Sequence, residues 1–255
     1  MAQARCSALR RLNDLLPEID DRDDRSKMLV SAVSAPVVVA LLVATGAFAP
    51  SSRAAFACAG VPAAVEGANV EEVAIACDGA RAAFAFFAPL HLVPAPGQAI
   101  EVVAALPAEL PGDAVGAYLS TSRRILVLRY EAFTSHGGWF GLPADTRLYR
   151  AVIAHEVAHA IASWHAGETR LPSAAQEYVA HVAMIATMSD DHRRELLALH
   201  PGSGFDDLAQ INELVYAFQP ARFAVDSYRH WMQQPDRAAF LRRVLDGELI
   251  PGARP

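Results

Sequence analysis

One five-residue stretch restricts this chain more than any other: His155-Glu156-Val157-Ala158-His159. Its flanks, Leu148–Ala154 and Ala160–Ala162, are largely apolar and helix-forming, so the stretch is expected on a buried helix. Residues four apart on such a helix stand about 40° apart around the axis and one turn apart along it. Both imidazoles can therefore reach one metal ion, the chemistry behind the H-E-x-x-H pattern. Glu156 falls about 100° from His155, beside such an ion without having to ligate it. From there it can take a proton from attacking water. The bland alternative is an accidental pattern on a surface helix. The apolar flanks fit that poorly, because two histidines and a glutamate buried there are costly unless something satisfies them.

The rest of the composition narrows the partners. Net charge is −6 with a pI near 5.8, and the chain has no dense Lys/Arg run to track phosphates, which argues against nucleic acid. At 255 residues and 53% hydrophobic, the length suits one catalytic domain with extensions. An apolar run from Met28 to Ala49 follows Arg25 and Lys27 and ends in small residues, with A-x-A sites at Ala47–Ala49 and Ala55–Ala57. This has the form of a secretory signal segment, and it is also long enough to anchor the chain in a membrane. The expected organisation is a leader over residues 1–57 and a single domain over 58–255, exported to the periplasm or the extracellular space. Cys58 and Cys77 can then pair as a disulfide or stand as separate buried thiols; the sequence leaves both open.

Along the domain, Val73, Cys77, Ala80, Phe84 and Phe87 mark one helical face from Glu71 to about Ala88. Strands are expected at Ala99–Leu106, Ala117–Ser120 and Arg124–Arg129, and a loop at Ser135–Gly141. Asp145 or Thr146 caps the H-E-x-x-H helix, which runs to about Trp164 and stops near Gly167. Ser173 and Gln176 have the spacing of a capping box opening a second helix to about Met188. Helices are expected at about Phe205–Phe218, Ala221–Met232 and Arg237–Leu245. The fold class is thus α+β, with an α/β half over 58–145 and a helical half over 146–255.

Val152–Ala160, taken with Ala175-Gln176-Glu177-Tyr178-Val179-Ala180, resembles the active-site helices of zincin metallopeptidases, the gluzincin branch above all. The likeness covers about 40 residues well. It implies Zn2+ as cofactor and a small twisted sheet over the zinc helix. An edge strand of that sheet, here the Ala117–Ser120 region, would pair with an extended peptide or protein substrate. A catalytic zinc takes three protein ligands and keeps one position for water. His155 and His159 supply two, and Glu177 and His165 compete for the third. His165 has the metzincin spacing, but that pattern needs a glycine where this chain has Ala162. A continuous helix would also carry His165 about 9 Å past His159 and away from it. Glu177 is the expected ligand.

His181, four residues after Glu177, shares its helix face and can orient a ligand or simply be a buried histidine with a local hydrogen bond. Gluzincins often carry an acidic residue there, so this is a departure. Tyr228 and His230 are candidates for the oxyanion donor, weighed against ordinary core positions of an amphipathic helix. The resulting expectation is an exported zinc metallopeptidase with Glu156 as general base. Its rivals are an exported zinc-binding protein of the same fold without turnover, working as a binding or envelope module, and a membrane-anchored structural protein in which the pattern is incidental.

Overall fold

The computed structural model describes residues 54–92, 96–167 and 171–250. The leader readings on the apolar run 28–49 and the Ala47–Ala49 site lie outside these residues. The sheet has five strands: β1 (Ala55–Ala57), β2 (Ala63–Glu66), β3 (Gln98–Val103), β4 (Gly116–Leu119) and β5 (Arg124–Leu128). Their order is β1-β2-β3-β5-β4. The inner pairs β2/β3 and β3/β5 run parallel, and the outer pairs β1/β2 and β4/β5 antiparallel, so the sheet is mixed. Strand β4 is one edge, as expected from the sequence, because it turns back directly into β5.

Strand β1 corrects the expected boundary at residue 58. Ala55–Ala57 pairs with Ala64–Glu66, so the folded unit includes the second A-x-A site. Its three residues are exposed and carry no alternating apolar pattern, which hid the strand from sequence reading.

Among the described residues, eight α-helices complete the α+β fold. Helix α1 (Val70–Phe87) opens on a capping box in which Asn69 and Glu72 satisfy each other's amides. It has the length and apolarity of a membrane-crossing helix, yet its buried side, including Ala76, Ala80 and Ala83, belongs to the protein core. Helix α2 (Tyr130–Ser135) fills the gap between the strand expected to end at Arg129 and the loop expected from Ser135. Helix α3 (Thr146–Ala166) carries the H-E-x-x-H stretch; Asp145 caps it by accepting from the Arg147 and Leu148 amides, and Gly167 ends it. Tyr149 on α3 donates to the Leu128 carbonyl at 2.6 Å, fixing the helix to β5. Helix α1 crosses α3 so closely that a Cβ on Gly79 would lie 2.7 Å from the Arg150 carbonyl oxygen. A disulfide joins Cys58 to Cys77, tying the β1–β2 turn to α1.

Helix α4 (Ser173–Thr187) packs against α3. Its expected capping box is absent. Pro172 is the N-cap, and Gln176 donates instead to the Leu171 carbonyl. Helix α5 (Asp190–Leu199) was not foreseen. The helix expected over 205–218 is a 3₁₀ turn at Leu208–Gln210 followed by the short α6 (Glu213–Phe218). Asn212 recaps the chain there, its side chain accepting from the Val215 amide. Helices α7 (Pro220–Met232) and α8 (Arg237–Leu245) match expectation closely.

Candidate metal centre

His155 and Glu156 are almost wholly buried and His159 nearly so, all on the side of α3 that floors a cleft of about 630 Å³. Helix α4 brings Glu177 over them. Its Oε1 lies 3.6 Å from His159 Nε2, and its Oε2 lies 3.6 Å from His155 Nε2. The two histidine Nε2 atoms are 3.0 Å apart. Two histidines four residues apart on one helix and a glutamate at least 18 residues further along on another therefore bring donor atoms together. His165 does not join them; its Nε2 is 3.0 Å from Asp246 Oδ1 at the end of α8.

His181 stands one turn beyond Glu177, fully buried, its Nε2 3.4 Å from Glu177 Oε2. The pair is close but not aligned as a hydrogen bond. Glu177 Oε2 and both His181 ring nitrogens are buried with no hydrogen-bond partner among the described residues. Unsatisfied buried polar atoms cost on the order of 1–3 kcal/mol each, so their convergence calls for something to fill it. A divalent cation fits: imidazole nitrogens and a carboxylate oxygen are the donor set that zinc takes.

Burial drives these groups toward their neutral forms. It holds the His155 imidazole well below its usual range, with the neighbouring His181 and His159 rings adding to the effect. His159 falls to about 4 and His181 to about 3, burial being the main cause for both. The same burial lifts Glu156 well above the ordinary carboxylate range, helped by the charge of Glu177. Glu177 rises to about 7, against a hydrogen bond from Tyr216 that favours its charged form. Neutral imidazole is the form that ligates metal, and a cation placed among these carboxylates would restore their charge.

Glu156 faces the sheet edge. The Tyr118 backbone on β4 faces its carboxylate and favours the charged form, and Gly116 leaves the space it occupies. A Cβ at Gly116 would lie 2.8 Å from both Cγ and Oε1 of Glu156. Gly116→Ala is thus expected to displace the carboxylate while sparing the donors of His155, His159 and Glu177. A misplacement of about 1 Å at a reacting group can cost about 10²-fold in rate. Turnover should fall on that scale with metal content unchanged, and unaltered kinetics would show that Glu156 has room to move.

Tyr228 and His230 are not brought to the cleft. His230 Nδ1 pairs with the Tyr178 hydroxyl at 2.8 Å, and Tyr228 is buried beside Trp231. They occupy the core side of α7, the amphipathic-helix reading of that segment. Besides Tyr118 on β4, the phenol that lines the cleft is Tyr216 on α6, which interacts with Glu177. Nothing in the local sequence marks it, since α6 reaches the cleft only through tertiary packing. One trace is Glu213, which also starts α6 and accepts from the Ala174 amide at the start of α4. Across the cleft, the stacked rings of Trp139 and Phe140 sit 4.0 Å apart, Trp139 edge-on to His155.

Comparison with curated proteins and with solved structures finds no match. A family model does match, over residues 63–254, which runs from β2 to beyond the last helix. The chain therefore belongs to DUF6639, a family of unknown function.

Proposed function

We propose that this protein is a zinc-dependent hydrolase of the zincin type, a gluzincin-like metallopeptidase that acts on peptide or protein substrates outside the cytoplasm. The observation that carries the reading is the convergence of His155, His159 and Glu177 at the floor of a cleft whose wall is an open sheet edge. Zinc, when bound by these three residues, supplies Lewis-acid polarisation of a carbonyl and makes water acidic enough to attack near neutral pH. Glu156 takes the proton from that water and passes it to the leaving amine. The Tyr118 backbone and the hollow at Gly116 keep the carboxylate in place for both transfers. Tyr216 is one of the cleft-lining hydroxyls that can steady the oxyanion. An extended substrate adds to β4, whose outer edge has no strand partner among the described residues. The Cys58–Cys77 disulfide supports an oxidising compartment, in line with export.

The test is elemental analysis of the purified chain together with hydrolysis of an unstructured protein, before and after chelation. About one zinc per chain is expected, with activity lost on chelation and regained with Zn2+. A chain without metal, or one whose hydrolysis survives complete metal removal, overturns the proposal. A zinc-loaded chain that cleaves nothing in a diverse peptide library favours the binding module instead.

A further inference from the structure

Three donors account for the expected site, and His181 forms a second group with two of them, His155 and Glu177, that leaves out His159. One donor atom each from His155, Glu177 and His181 lies within 4.8 Å of the others. Donors about 2.0–2.1 Å from a tetrahedral centre stand roughly 3.3–3.4 Å from one another. The separations here are 3.0 Å for His155–His159, 3.6 Å for each histidine to Glu177, and 3.4 Å for His181–Glu177. The contact from His181 to Glu177 Oε2 thus has the length of a ligand–ligand edge and falls within the 3.0–3.6 Å spread of the expected triad, whose two histidines reach different Glu177 oxygens.

The surroundings of His181 give it no other employment. Its ring packs among Tyr216, Phe223, Phe140, Trp139 and His155, and neither nitrogen has a hydrogen-bond partner among the described residues. A histidine that served only to orient Glu177 would hold Oε2 in an aligned hydrogen bond and anchor its other nitrogen on a carbonyl or carboxylate. Here Oε2 and both nitrogens are left over together. A phenylalanine would fill such a hole without the desolvation cost.

We propose that His181 is a fourth protein ligand, so that the resting metal is held by three imidazoles and the Glu177 carboxylate. The inference rests on the metal reading above and adds to it. Four protein ligands are the pattern of a closed zinc site, whereas hydrolysis needs a position for water. Turnover then requires His181 to withdraw or the coordination to expand to five. That makes His181 the residue that separates a closed centre from an open one.

Three measurements on the full chain test this. X-ray absorption of the zinc-loaded wild type should count three imidazoles; a count of two overturns the proposal whatever any variant does. Titration against a chromophoric chelator should show His181→Phe binding zinc more weakly by over about 100-fold, beyond what an outer-shell partner contributes. The visible spectrum of the Co2+-loaded variant should change as well. Affinity within about tenfold of wild type and an unchanged Co2+ spectrum would leave His181 a packing residue, with the three-ligand site intact. A wild type that binds no zinc would instead bring down the underlying metal reading, an outcome the same titration separates from the others.

Discussion

Exchanging Glu156 for Gln is expected to leave zinc and fold in place while cutting hydrolysis by about 10²–10⁴-fold, the range that general-base catalysis supplies. The structural cost should be small for two reasons. Burial and Glu177 already push Glu156 toward its neutral form, so a neutral amide replaces a group that is not stabilised as a carboxylate. The Gln side chain can also face the Tyr118 backbone in the same hollow beside Gly116. What the amide cannot do is take a proton from water. Steady-state kinetics beside elemental analysis reads both halves of the expectation. Wild-type turnover at full zinc content would remove Glu156 from the mechanism.

The second large effect concerns the metal itself. Glu177→Ala should lower zinc affinity by well over the about 10–100-fold typical of outer-shell partners, whereas His165→Ala should leave it nearly unchanged. Glu177 touches His155, His159 and His181, while His165 is engaged with Asp246 at the far end of α3. Because metal binds only the folded chain, zinc at 100 times its Kd adds about 2.7 kcal/mol to stability. The rise in Tm on adding zinc should therefore disappear in Glu177→Ala and persist in His165→Ala. The reverse pattern would move the third ligand to His165.

The residues that sequence reading located well are those with a local signature. The i, i+4 histidines, the Asp145 cap, the Gly167 stop and the prolines flanking the last helices each act within a turn or two of chain, and α3, α7 and α8 fall where they were expected. The placing of His165 away from His155 and His159 also turned on a local fact, helix continuity through Ala162. What escaped was set by distant packing. Ser173 and Gln176 have capping-box spacing, but Gln176 is drawn to the Leu171 carbonyl and Glu213 takes the Ala174 amide. Strands β1 and β2 are alanine-rich and three or four residues long, too short for a period of two to register. Helix α5 begins on an exposed acidic turn and buries only His192 and Leu196, which leaves no apolar stripe to read. Tyr216 reaches Glu177 from a six-residue helix, while Tyr228 and His230, on a longer and more regular helix, turn toward the core.

The alanines, which read as composition bias in the sequence, act as spacers in the folded chain. Ala151, Ala158 and Ala162 stand three or four positions from His155 or His159, on the same side of α3. Ala174 and Ala180 flank Glu177 on α4 in the same way, and all five are buried. Helix axes settle 8–10 Å apart according to the side chains between them, and methyl groups allow the near end of that range. The donors on α3 and on α4 are thus flanked on their own helices by small buried residues. Enlarging one of them would act as a shim, moving one half of the donor set away from the other while every ligand remained in the sequence.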